Sequence, residues 1–348
     1  MKNINIQGVL YFFIHFITEV ITFYIIGHYT SNELFYIIAL IFDFLAFVPQ
    51  GIIGYLIDEF DLKNITLIGT LLMILSLILL YLNINPIINV LFLAIGNAMT
   101  HIDGAEKTLR SSKGKMSSAA LFVSGGSFGL ITGKILQLIN TPIIIIIIIA
   151  ALTIIPIIIS NKYNNYVDSN NLKEYNFSNK IINTKIIIIL ATFIVIIRAY
   201  MGYAIPTTWN KTIIQSILLF SFMGTGKALG GILIDKIGIR KTSFISTIVA
   251  LPFLLFGDNN IYISLIGIML FSITMAITLG IIVSELNNHP GVAFGFTTLG
   301  LFLGTLPVFF IKIKNIYVNC TIIILLTILS IIILNKICRK DDKNVKSI

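Results

Sequence analysis

Charge is what this sequence has least of. Only 11% of its 348 residues are Asp, Glu, Lys or Arg, against about 25% in an ordinary soluble domain. Cysteine is nearly absent too. Cys320 and Cys338 stand in or beside the last apolar run, so a disulfide-stapled secreted domain is excluded. Polar stretches are equally scarce, and 57% of the chain is hydrophobic, with a mean hydropathy of +0.97. A soluble core stops growing near ~250–300 residues, and one this apolar would expose large greasy patches. Cytosolic enzymes and nucleic-acid binders are thereby excluded; the net charge of +9 has no soluble basic domain to carry it. No metal-ligand spacing and no nucleophile–base arrangement stands out, so neither catalysis, a cofactor nor a metal is expected. Gly224-Thr-Gly226-Lys227 has the look of a phosphate loop, but it lies inside an apolar span with no strand before it.

What is present instead is a series of long apolar runs. Crossing about 30 Å of hydrocarbon takes about 20 mostly apolar residues in a helix. Spans are predicted over 7–27, 34–57, 65–82, 86–101, 117–138 and 142–160, then over 186–205, 212–234, 242–257, 260–283, 291–311 and 316–336. The expected fold class is therefore an all-α polytopic membrane protein with twelve transmembrane helices. His15 and Glu19 inside the first run exclude a cleaved signal peptide. Lys and Arg collect in cytoplasmic loops. Eighteen of the 24 fall in one set of loops and the ends of the chain, from Lys2 and Lys63 to Arg339 and Lys346. The opposite set holds only Lys211, Lys312 and Lys314. Both termini are expected in the cytoplasm, with the protein in the plasma (inner) membrane.

Residues 161–184 form the longest polar stretch and contain eight asparagines. They read as a flexible cytoplasmic linker between a six-helix bundle over 1–160 and a second over 185–338, followed by a cytoplasmic tail over 339–348. An internal repeat supports two pseudo-symmetric halves. Gly54, Leu56, Asp58 and Lys63 after the second span recur as Gly231, Leu233, Asp235 and Arg240 after the eighth. The second copy continues with Lys241 and has Gly238 where the first has Asp61. The Asp can pair with a loop base or with a helix N-terminus in one conformation.

This Gly-x-Leu-x-Asp-x-x-Gly-x-Arg-Lys pattern resembles the signature loop of the major facilitator superfamily. That resemblance implies two six-helix bundles, a substrate site between them and alternating access. It marks Gly54, Asp58, Lys63, Gly231, Asp235, Gly238, Arg240 and Lys241 as conformational-switch residues. Gly96 through His101, then Phe122, Gly125, Gly126, Gly129 and Gly133, resemble the fosmidomycin-resistance branch, as do His15-Phe-Ile-Thr-Glu19 and Pro290-Gly291-Val-Ala293-Phe-Gly295. Ile102 and Lys134 depart from that branch's pattern. The superfamily resemblance also implies that spans one, two, five, seven and eight border the central cavity.

A charge at mid-bilayer costs about 2.5–3.5 kcal/mol on insertion scales, so each one needs a reason. Glu19, Asp43, Lys134, Arg198 and Lys227 stand well inside spans, all in the five spans just named. Tyr11, His15, Thr18, Glu19 and Thr22 share one helical face; so do Asp43, Phe47, Gln50 and Gly54, and Ser124, Ser127 and Lys134. Carboxyl groups in low-dielectric surroundings can exchange protons near neutral pH, which makes Glu19, then Asp43, the expected proton-coupling residues, with His15 one turn away as a relay. Arg198, Lys134 and Lys227 outnumber the acids, and an arginine suits a bidentate phosphate, phosphonate or carboxylate. With Gln50 and Tyr11 they are the candidate substrate contacts. A fixed ion pair between these acids and bases is the structural alternative. His101 reads as a structural residue at the end of span four. The expected function is proton-coupled export of a small anionic or zwitterionic solute by a monomer, without nucleic acid. Anion exchange or uniport, and a non-transporting sensor or assembly factor, stand as alternatives.

Overall fold

A computed structural model describes residues 5–164, 174–311, 313 and 315–339. Among these, the first half of the chain forms α1 (Ile6–His28), α2 (Phe35–Phe47), α3 (Gln50–Phe60), α4 (Ile65–Tyr81), α5 (Pro86–Ser111), α6 (Ser117–Leu138), α7 (Ile143–Leu152) and α8 (Ile154–Asn164). The second forms α9 (Thr184–Ala204), α10 (Ile213–Ile237), α11 (Ile239–Phe244), a π-helical turn (Ile245–Val249), α12 (Ala250–Phe256), α13 (Ile261–Ser272), α14 (Thr274–Glu285), α15 (Pro290–Phe310) and α16 (Ile316–Ile337). Asparagine starts many of these helices. The side chains of Asn5, Asn85, Asn183, Asn260 and Asn315 each accept from a backbone N–H of the first turn, satisfying donors that a helix leaves open.

Among the described residues, eleven helical stretches are long and apolar enough to cross a membrane. α2 and α3 together make one of them, broken only at Val48–Pro49, and α7 with α8, α11 with α12, and α13 with α14 make three more. The twelfth expected span, α4, has 17 residues, about 25 Å at 1.5 Å per residue. Tight packing of α1 on α6 follows from small residues. Gly125, Gly129 and Gly133 recur every four positions on α6, and the main-chain oxygens of Phe12, Phe16 and Val20 on α1 occupy the space a Cβ would need. The two halves meet where α6 runs beside α10 and α3 beside α15.

Two boundaries differ from the sequence expectation. Span four, expected to end at residue 101, continues as helix to Ser111. Asp103, Glu106, Lys107 and Arg110 look like a helix-ending polar cluster in sequence, but their pairing at i, i+4 lets the helix run on (below). The linker also differs. Residues 165–173, the segment 1–4 and the tail 340–348 lie outside the described residues, but Glu174–Asn183 is no free tether. Tyr175 is 5% exposed; its hydroxyl donates to Leu109 O at 2.8 Å and hydrogen-bonds Ser112 Oγ. Its backbone N–H donates to Asn287 Oδ1 at 2.6 Å. Burial raises the Tyr175 phenol above its usual range, which keeps it protonated as a donor. Phe177 N–H donates to Ser284 Oγ at 2.9 Å, and Lys180 pairs with Glu285 at 3.0 Å. This strap is thus pinned to both halves.

Candidate substrate and coupling site

The first half holds a buried polar cluster at the meeting of α1, α5 and α6. Glu19 Oε1 lies 3.2 Å from His101 Nε2 and 3.9 Å from His15 Nε2. Asn97 Nδ2 donates to Glu19 Oε1 at 3.1 Å and to Thr22 Oγ1 at 3.0 Å. The two imidazoles meet edge to face, with ring centroids 4.3 Å apart. The shared helical face of α1 therefore points into its own bundle. His101, expected to be a structural helix-end residue, sits in mid-helix because α5 is longer than the hydropathy suggests. It is the functional candidate that sequence reasoning missed. Its spacing of four from Asn97 on the α5 face that meets Glu19 was the available signal.

Tyr11, also on that face, is fully buried one step closer to the strap. Its hydroxyl meets Thr66 Oγ1 at 3.2 Å. Thr66 in turn donates through both N–H and Oγ1 to Asp103, which Lys107 Nζ approaches at 2.9 Å. Arg110 joins Glu106 to Asp58. Gln50 is fully buried as well, its amide donating to Ala46 O at 2.7 Å. Lys134, expected to share a face with Ser124 and Ser127, is exposed while those serines are buried.

The charges of the second half are arranged differently. Arg198 on α9 is half-buried and borders a narrow cleft between α9, the π-helical turn, α14 and α16. Its Nη2 approaches Met275 Sδ at 3.0 Å, and its buried Nε has no partner. Thr327 Oγ1, on the same cleft, is buried without a partner too. Lys227 on α10 is half-buried. Among the described residues neither base has a carboxylate within 4.0 Å, so the alternative, a fixed ion pair between Arg198 and Glu19 or Asp43, is not formed. Asp43 on α2 is likewise half-buried with no ion pair.

The two repeated Asp residues tie the halves together at one end. Asp58, on α3, accepts from Gly291 N–H at 3.2 Å and Val292 N–H at 2.9 Å, at the start of α15. Asp235, on α10, accepts from Met116 N–H at 2.8 Å and Ser117 N–H at 3.0 Å, at the start of α6. Neither receiving helix has a side-chain cap of its own. Each half thus supplies the N-terminal cap of a helix in the other, where a carboxylate also complements the helix dipole. Gly54 and Gly291 cross here with no room for a Cβ on either. Lys63, Arg240 and Lys241 are exposed at this basic end and pair with neither Asp; Arg110, from α5, is the base that Asp58 meets.

No known family matches the sequence as a whole, and no curated protein matches it. Solved structures do. The fucose:proton symporter FucP of E. coli, as a point variant, aligns over 94% of this chain and 97% of its own at 15% identity and a TM-score of 0.61. A structure of the major facilitator superfamily transporter FucP in the outward conformation aligns over the same shares at 16% identity and a TM-score of 0.61. The chain has the major facilitator fold. Within that fold, the carboxylate caps close one end of the interface between halves, and the His15–Glu19–His101 cluster and the two bases lie deeper along the helices.

Proposed function

We propose that the chain is a secondary active transporter, working by alternating access, for a small organic anion or zwitterion. One observation carries this reading: Arg198 and Lys227 stand within membrane-length helices and have no carboxylate partner among the described residues. A buried base without a counter-charge is costly, and an anionic group of the solute supplies that charge. The Arg198 fork suits a phosphonate, phosphate or carboxylate, with Lys227 as a second, point-like contact. The Lys and Arg bias puts the basic end in the cytoplasm. The capped end is then the cytoplasmic one. Coupling to protons, the mode named for the fucose:proton symporter, falls in this reading to Asp43, a half-buried carboxyl without an ion pair, and the direction is export.

The test uses purified protein and a panel of small phosphonates, organic phosphates and carboxylates, fosmidomycin first. Wild-type protein should be stabilised against heat by at least one of them. Arg198→Gln and Lys227→Gln should weaken that ligand at least tenfold, with folding intact, and Arg198→Lys should fall between. In everted vesicles the same ligand should collapse a proton gradient, and Asp43→Asn should bind it without moving protons. Unchanged ligand affinity in both base variants would overturn the reading.

A further inference from the structure

The geometry points to a divalent transition-metal site, of the zinc class, formed by His15, Glu19 and His101. The decisive feature is the state of the two imidazoles. His15 Nδ1 lies 2.8 Å from Phe122 O, and His101 Nδ1 lies 2.9 Å from Asn97 O. A carbonyl oxygen only accepts, so each Nδ1 carries the hydrogen. In a neutral ring each Nε2 is then a bare lone pair. Both Nε2 atoms face the same carboxylate oxygen, at 3.2 and 3.9 Å. Three acceptors converge with a single donor among them, the amide of Asn97. A proton on one Nε2 would satisfy one ring, whereas a metal ion engages all three acceptors at once.

The ligand atoms suit a metal in type and in spacing. All three lie within 4.8 Å of one another, and the edge of a tetrahedron with bonds of about 2.0–2.1 Å is about 3.3 Å. Two neutral imidazoles and one carboxylate favour zinc and its neighbours over magnesium or calcium, which take oxygen ligands. Backbone carbonyls behind the histidines are outer-shell supports that fix ring orientation, and the Asn97 amide holds the carboxylate by the same Oε1. The site is also cleared for its ligands. A Cβ on Gly126 would stand 2.5 Å from His15 Nε2, so that glycine leaves the ring nitrogen free. Three protein donors leave a fourth position for water or a solute atom. This site is separate from the bases of the second half on which the proposed transport activity rests.

Full-length protein, purified without a polyhistidine tag, is titrated with Zn²⁺ by equilibrium dialysis, and with Co²⁺ by visible absorption. One metal per chain is expected, with tetrahedral Co²⁺ bands and no competition from excess Mg²⁺ or Ca²⁺. His15→Asn and His101→Asn keep a donor for the backbone carbonyl and remove the ligand. Each should weaken Zn²⁺ more than about tenfold and erase the Co²⁺ bands, as should Glu19→Gln. His28→Gln and His289→Gln, the other two histidines, should bind as wild type does. Metal-free melting temperatures identify the variants that fold, and each ligand variant that does is informative. Failure of wild type to bind Zn²⁺, equal affinity in a folded ligand variant, or loss in the His28 or His289 variant would overturn the site. None of those outcomes bears on the anion-binding test of Arg198 and Lys227.

Discussion

The charges of α5 are paired, whereas Arg198 and Lys227 of the second half have no carboxylate partner among the described residues. In the first half Asp103 has Lys107, Thr66 and, through Thr66, Tyr11. Glu106 and Asp58 share Arg110. In the second half Arg198 faces a thioether sulfur, and Lys227 has no ion pair among the described residues. A paired buried charge is part of the fold, because removing one partner strands the other. A buried charge without a partner contributes little to the fold, and its presence calls for a ligand. The contrast in pairing separates framework from function, and burial runs with it: Asp103, Glu106 and Lys107 are buried, whereas Arg198 and Lys227 are half-buried.

The largest effect should come from breaking a pair in the first half. Asp103→Ala leaves Lys107 buried without its carboxylate, and the loss should be about 3–5 kcal/mol. The double variant Asp103→Leu with Lys107→Met removes both charges and should recover most of that loss. Arg198→Gln, the matching change in the second half, should cost less than about 1 kcal/mol, since no carboxylate is left behind. Reversible unfolding in mixed micelles measures all three. A loss for Arg198→Gln as large as that for Asp103→Ala would erase the distinction between the halves.

A smaller effect should separate the two carboxylate caps. Hydrogen bonds to charged groups contribute about 1.5–3 kcal/mol each. Asparagine retains one acceptor oxygen but not the charge. Asp58→Asn also deprives Arg110 of a partner, whereas among the described residues Asp235 is held by backbone donors and Ser117 Oγ. Both variants should populate a state open at the basic end, and Asp58→Asn should do so more. Spin labels on the exposed Leu62 and Asn288, with the native cysteines replaced, report the separation across the α3–α15 contact. Distance distributions identical to wild type in both variants would show that the caps do not hold this end shut.

Much of the fold was legible because hydropathy and length decide which segments cross a bilayer, and eleven of the twelve expected spans reach crossing length. The repeat of Asp58 and Asp235 was legible as well, with a helix N-terminus among its possible partners. What hydropathy could not show was the end of α5. A run with Asp103, Glu106, Lys107 and Arg110 reads as a loop by hydropathy, although Asp103 with Lys107 and Glu106 with Arg110 stand at i, i+4; the further contacts with Thr66 on α4 and Asp58 on α3 are visible only in the structure. His101 was placed at a helix end for the same reason. Tyr175 was hidden inside an asparagine-rich stretch whose composition says linker, although its hydroxyl donates to Leu109 O and its backbone N–H to Asn287 Oδ1. Sequence periodicity placed Glu19 on a face of α1. It carried no information on whether that face met the other half or α5.

The smallest effect tests the turns that follow the two caps. They occupy the same place in the repeat, yet their backbones differ. Asp61 is left-handed, at φ 45° and ψ 48°, a conformation that Asp tolerates among L-residues. Gly238 stands at φ 86° and ψ 160°, a region essentially closed to any residue with a Cβ. The missing glycine of the first copy is therefore no defect, since that turn takes a conformation open to aspartate. Gly238→Ala should cost about 1–3 kcal/mol. Asp61→Gly should change stability by less than about 1 kcal/mol, because relief of the left-handed strain is offset by the freer unfolded chain. Thermal unfolding of the two variants side by side measures the gap. Equal losses would mean that the two turns share one backbone requirement, and that the repeat is more symmetric than these dihedral angles imply.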